Sequence, residues 1–214
     1  MQVKICGITR VEDAVCAVES GATMLGFVFA PSPRRIEPQK AAEILAELVK
    51  RSLRNRITAV GVFVNETPAR VAEICNMATI DSAQIHGDET ADECNHLTVP
   101  WYRALRVDEW FTSGSFRESV KELLCSAILI DAKVDGLYGG SGKRVSLEVA
   151  HMCKDAIRAE KKDFYLAGGV TPENVRMIID ELSPDGIDLS SSLEISPGIK
   201  SHDRIRALFD ALNK

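Results

Sequence analysis

The chain has 214 residues, enough for one large domain or a barrel and too few for two comfortable domains. Hydrophobic residues make up 45% and charged residues 27%, which excludes a disordered composition. With 31 acidic against 26 basic residues the formal net charge is −5, which argues against nucleic acid or an anionic membrane as main partner.

The first residues, Met1-Gln2-Val3-Lys4-Ile5, read as a strand without a signal-peptide pattern, and the longest apolar run, Met24–Ala30, is too short to span a membrane. The expectation is a soluble, cytoplasmic chain. From the N-terminus onward, a short apolar run is followed by an amphipathic stretch eight times. Gln2–Cys6 leads into Val11–Glu19, with Gly21 where a left-handed residue ends a helix. Met24–Phe29 is followed by Gln39–Val49, Ile57–Val64 by Ala69–Met77, and Asp81–Ile85 by Ala91–Leu97. Trp101–Arg106 precedes Ser115–Leu124, Ala127–Asp131 precedes Leu147–Ala159, Phe164–Ala167 precedes Pro172–Leu182, and Gly186–Leu189 precedes Asp203–Leu212. The strand runs are continuously apolar, as strands buried on both faces are. Thr67-Pro68 and Thr171-Pro172 each place a capping hydroxyl before a proline at the first helical position. Eight βα units of about 27 residues fit the lower size range of a TIM barrel spanning residues 1–214. A doubly wound dinucleotide fold needs G-x-G-x-x-G after the first strand; Cys6-Gly7-Ile8-Thr9-Arg10 has one glycine. The fold class expected is α/β, a single (β/α)8 barrel.

In that architecture the active site lies at the C-terminal ends of the strands. Position nominates Cys6, Arg34, Arg35, Asn65, Gln84, His86, Arg106, Asp131, Gly168, Gly169, Asp188 and Ser190 to Ser192. Two glycines after the seventh strand and three serines after the eighth favour a phosphorylated substrate, held on backbone N–H groups and hydroxyls. Leu193-Glu194 is where one extra helical turn would begin. Gly139-Gly140-Ser141-Gly142-Lys143 fails the P-loop pattern, because Arg144 stands where Ser or Thr is needed. It reads as a mobile loop over the site, with an ordinary surface loop as the competing reading. Cys6 and Asp131 are candidates for an acid–base pair across the barrel mouth. A thiol whose pKa is lowered by a nearby positive charge is a usable base, and a carboxyl raised by an apolar mouth is a usable acid. The competing readings are a small buried residue for Cys6, and a cap or an ion pair with Lys133 or Lys143 for Asp131. No metal is expected: His86, His96, His151 and His202 have no ligand spacing. Cys16, Cys75, Cys94, Cys125 and Cys153 lack paired spacing and read as reduced, buried residues. Lys50, Arg51, Arg54 and Arg56 read as a solvated face.

At these residues the chain resembles the phosphoribosylanthranilate isomerase family of tryptophan biosynthesis. The likeness runs through Lys4-Ile5-Cys6-Gly7-Ile8-Thr9, Gly26-Phe27-Val28-Phe29, Ser32-Pro33-Arg34 and Gly61-Val62-Phe63-Val64-Asn65. It continues through Gln84-Ile85-His86-Gly87, Ile130-Asp131, Gly168 to Val175, and Asp188-Leu189-Ser190-Ser191 with Ser196-Pro197-Gly198. The resemblance implies an Amadori rearrangement of a phosphoribosyl-amine, with Asp131 as general acid and Cys6 as general base. It further implies Arg34 near the anthranilate carboxylate, Gln84 and Asp188 in the pocket, and phosphate on Gly168, Gly169, Ser190 and Ser191. The chemistry is proton transfer, so no cofactor is expected; the partner is a small phosphorylated substrate, and the chain a monomer or homodimer. Two departures from the family pattern stand in the chain. Val145-Ser146-Leu147 replaces the usual Phe-Asp-Trp, with Ser146 still able to cap a helix, and Ser192 replaces a glycine, where a positive φ would strain it. Two rival readings accompany the resemblance. A histidine-pathway isomerase would call for a second phosphate site and an aspartate at position 6, and a non-catalytic barrel would only bind a phosphorylated metabolite.

Overall fold

The structure, a computed structural model, describes residues 1–107, 113–132 and 145–213. Eight parallel strands pair in chain order, and the last returns to the first to close a barrel. They are β1 (Gln2–Cys6), β2 (Met24–Val28), β3 (Thr58–Phe63), β4 (Ser82–Ile85), β5 (Trp101–Val107), β6 (Ala127–Ala132), β7 (Asp163–Leu166) and β8 (Gly186–Leu189). The closing register runs from Gln2 opposite Gly186 to Ile5 opposite Leu189. Around the strands lie α1 (Val11–Ser20), α2 (Pro38–Lys50), α3 (Pro68–Ala78), α4 (Ala91–Asn95), α5 (Ser113–Glu122), α6 (Leu147–Ala159), α7 (Val175–Leu182) and α8 (His202–Leu212). The expected (β/α)8 architecture is the one observed, with strand ends moved by a residue or two at most.

The two-residue period of a strand decides which chemistry faces inward. In β1, Val3 and Ile5 join the apolar layer between strands and helices, together with Leu25, Phe27, Phe63, Ile128 and Phe164. The alternate residues Lys4 and Cys6 point into the barrel. There Met24, Val60, Tyr102, Ala104 and Leu129 form an inner apolar cluster, and Cys6, Val28, Ala30 and Val62 form a second one. Buried polar side chains, Lys4, Gln84 and Asp131 among them, share this interior.

Capping is satisfied where the sequence places it in one case and not in the other. Thr67 accepts a hydrogen bond from the Arg70 amide and Pro68 opens α3. Thr171-Pro172 does not open α7, which starts at Val175. Asn174 diverts the chain: its side chain accepts from the Thr171 amide and donates to the Gly169 carbonyl, both at 2.8 Å. That side-chain-stabilised turn competes with helix at residues 172 to 174. Ser146 caps α6, accepting from the Val149 amide, so the departure from aspartate keeps the cap. Gly21 closes α1 with φ 122°. After β8, the extra turn is a 3₁₀ turn over Ser191–Leu193, two residues earlier than expected. A short hairpin follows, β9 (Glu194–Ser196) and β10 (Ile199–Lys200), which the sequence reading missed. Ser192 is not among the residues with positive φ, so the expected strain is absent. All six cysteines are free and buried, and the basic cluster is solvated and paired, Arg51 with Glu47 and Arg54 with Asp81.

Candidate active site

At the C-terminal mouth of the barrel a pocket of about 330 Å³ is lined by Cys6, Arg34, Gln84, His86, Asp131, Gly168, Gly169, Asp188 and Ser190 to Ser192. Closing the sheet brings these residues together from both ends of the chain. Three nominated residues do not join them. Arg35 pairs with Glu37, Asn65 Oδ1 accepts from the Asp88 amide, and Arg106 pairs with Asp88. The stretch Gly139 to Lys143, read as a loop over the site, lies outside the described residues, as does Lys133.

Cys6 ends β1 and is 8% exposed. Burial pushes its thiol pKa up, Lys4 and Lys200 oppose the rise, and Asp188 adds to it. The net direction is upward, which corrects the expectation of a lowered value: desolvation of the thiolate outweighs the two ammonium groups. Lys4 donates to Gln84 Oε1 at 2.7 Å and to Asp188 Oδ2 at 2.8 Å. Burial works against its charge, but attraction to Asp188, Cys6 and Tyr102 holds its pKa well above the usual lysine value.

Asp131 ends the inward face of β6, buried, with Oδ2 3.7 Å from His86 Nε2. Burial, with Lys4, Arg106 and Arg103 nearby, pushes the His86 imidazole down to about 3, so the ring is neutral near pH 7. Its tautomer follows from the network. Gln84 Oε1 accepts from Lys4 and from the Tyr102 hydroxyl at 2.7 Å, which leaves the amide nitrogen to donate to His86 Nδ1 at 3.1 Å. The ring proton therefore sits on Nε2, facing Asp131. Nε2 itself has no hydrogen-bond partner among the described residues, and neither has Asp188 Oδ1, another lining residue. Both are ready for ligand groups, one as donor and one as acceptor.

Arg34 crosses over Gly7, whose φ is 77° and where a Cβ would lie 2.7 Å from Arg34 Cδ. Glu194 grips the guanidinium through Nε at 2.9 Å and Nη2 at 2.8 Å, and Lys200 Nζ meets the same carboxylate at 2.9 Å. That bidentate clasp orients Arg34 and leaves Nη1 outside it. Gly168 and Gly169 have φ of 81° and 69°, so side-chain-free backbone borders the pocket there. Ser190 donates its hydroxyl proton to the Cys6 carbonyl at 3.1 Å, tying β8 to β1. Among the described residues no group of three or more His, Cys, Asp or Glu could hold a metal ion.

Sequence reasoning missed Lys4, Glu194 and Lys200. Lys4 carried a readable signal, because it shares strand parity with Cys6. Glu194 and Lys200 carried none, since the hairpin that sets Glu194 against Arg34 and Lys200 against Glu194 is short and lacks alternation.

Comparison with known proteins agrees with this fold over nearly the whole chain. The family model described as N-(5'phosphoribosyl)anthranilate (PRA) isomerase matches residues 3–211. The N-(5'-phosphoribosyl)anthranilate isomerase of Pseudomonas fluorescens (strain Pf0-1) is 40% identical over 98% of this chain and 97% of its own. The crystal structure of phosphoribosyl anthranilate isomerase from Thermotoga maritima superimposes with a TM-score of 0.85 at 34% identity, covering 100% of this chain and 98% of that one. A second solved isomerase, in complex with reduced 1-(o-carboxyphenylamino)-1-deoxyribulose 5-phosphate, gives 0.81 at 32% identity with the same coverage. The chain belongs to the N-(5'-phosphoribosyl)anthranilate isomerase family.

Proposed function

We propose that this chain catalyses the Amadori rearrangement of N-(5'-phosphoribosyl)anthranilate to 1-(2-carboxyphenylamino)-1-deoxyribulose 5-phosphate, the isomerase step of tryptophan biosynthesis. The observation that carries the reading is the meeting, in one mouth, of a thiol, a carboxyl, an oriented guanidinium and two loops of glycine and serine. Asp131 is the general acid. It protonates the furanose ring oxygen, the C1–O bond breaks, and the anilino nitrogen supplies the electron pair of the resulting Schiff base. Cys6, as thiolate, is the general base and takes the C2 proton. The enolamine so formed takes up a proton at C1 and gives up the proton of its C2 hydroxyl, which leaves the ketone. Protons alone change place, so the reaction calls for no cofactor.

The remaining residues bind and orient. Arg34, clasped by Glu194, presents Nη1 to the anthranilate carboxylate, a planar anion suited to a guanidinium. Gly168, Gly169, Ser190 and Ser191 hold the phosphate; with the Ser190 proton committed to Cys6, the donors there are backbone N–H groups and the Ser191 hydroxyl. Asp188 accepts from a sugar hydroxyl through Oδ1, and Gln84 acts by orienting Lys4 and His86. The test is turnover of freshly generated phosphoribosylanthranilate, followed by loss of anthranilate fluorescence. Wild type should consume it rapidly, and Asp131→Asn about 10²–10⁴-fold more slowly, the scale of a positioned acid. A folded wild-type protein that leaves the fluorescence unchanged would overturn the assignment.

A further inference from the structure

A buried thiol is a poor base, because removing water disfavours the thiolate. The barrel interior holds a counterweight. Lys4 and Cys6 occupy the same face of β1. A Cβ built on Gly26 of β2 would lie 2.7 Å from Cys6 Sγ and 2.9 Å from Lys4 Cε. Sulfur and lysine stem thus converge on the one place that glycine leaves empty. Two of the three Lys4 N–H donors are taken by Gln84 and Asp188, and the ammonium's charge favours the Cys6 thiolate. Lys4 is 2% exposed, so its charge acts on the sulfur with little screening by water.

We propose that Lys4 is the positioning residue that makes Cys6 a usable base: its buried ammonium is a fixed countercharge beside the sulfur and stabilises the thiolate. The proposal rests on the reading of Cys6 as general base. Lys4 keeps its proton throughout; the thiolate takes the C2 proton, the thiol forms, and the electron pair of the C–H bond passes into the enolamine. Other charged or titratable groups around Cys6 are Asp188 on β8, Lys200 on β10 and Tyr102 on β5, with Arg34, His86 and Asp131 lining the same pocket. Asp188 opposes the thiolate and anchors Lys4. Lys200 supports the thiolate with its charge shared with Glu194, and Tyr102 is held neutral, since burial drives its phenol pKa up.

The opposite signs of Lys4 and Asp188 give a test that a merely structural role does not satisfy. Alkylation of Cys6 by iodoacetamide is followed against pH by peptide mass spectrometry in the intact protein, beside the acidic limb of kcat/KM. Lys4→Met should move the Cys6 midpoint up by about one pH unit and slow alkylation about tenfold below it. Asp188→Asn should move the midpoint down. If Lys4→Met does not fold, the variant carrying both changes removes the unpaired buried carboxylate and should still lie above wild type. An unmoved midpoint in Lys4→Met, an upward shift in Asp188→Asn, or a double variant at or below wild type would each overturn the proposal. Shifted alkylation with an unmoved kcat/KM limb would retain the charge coupling and remove Cys6 from the role of base.

Discussion

At the scale of single residues, the proposed function separates groups expected to move protons from groups expected to hold the substrate. Cys6 is buried beside Val28 and Val62 and Asp131 is buried across the same pocket, whereas Arg34 is fixed by Glu194 at the rim. The two kinds should respond differently to truncation. Cys6→Ala is expected to lower kcat by about 10²–10⁴-fold with KM nearly unchanged, because a proton acceptor works in the transition state. Arg34→Ala is expected to raise KM strongly, and Arg34→Lys should rescue little, since an ammonium cannot replace the fork that Glu194 grips. Steady-state kinetics on the three variants checks this split; a Cys6→Ala enzyme with wild-type kcat would remove Cys6 from the chemistry.

At the scale of elements, capping shows how a local signal can be right in kind and wrong in place. Ser146 caps α6 through the Val149 amide, so Ser146→Ala should cost about 1 kcal/mol in urea unfolding. Thr171 has the same apparent credentials before Pro172, yet Asn174 makes the ordering bonds of that turn. Asn174→Ala should therefore cost about 1–3 kcal/mol by orphaning the Thr171 amide and the Gly169 carbonyl. Thr171→Val should stay within about 0.5 kcal/mol. Equal losses in the two variants would contradict the observed turn. Since Gly169 borders the pocket, the Asn174 change should also weaken inhibition by inorganic phosphate.

For the whole molecule, closing the barrel buries titratable groups that an open chain would leave in water. His86 is the clearest case, held neutral with its pKa pushed down to about 3 against 6.5 for the free side chain. Between those values the unfolded chain binds a proton that the folded chain refuses. Stability contributed by the neutral ring is therefore present above pH 6.5 and is lost as pH falls toward 3. The loss attributable to this group between pH 7 and pH 5 is about 2 kcal/mol. His86→Gln should flatten the pH dependence of the urea midpoint by that amount, and an unchanged slope would show that the ring is not buried neutral.

The sequence alone determined the eight βα units, the barrel and most of the lining. Apolar runs, helix periods and strand ends are local properties, and the barrel converts each strand end into a position on one rim. Cys6, Asp131, Gly168 and Asp188 could be named for that reason. The tertiary structure decided what local pattern does not encode. It turned Lys4 inward beside the sulfur, set Glu194 of the short hairpin against Arg34 with Lys200 against Glu194, and gave the Thr171–Asn174 segment to a side-chain turn. It also reversed the expected direction at Cys6. Closure of the sheet buries the thiol and brings Asp188 beside it, and their combined effect on the thiolate is stronger than that of the ammonium groups facing it.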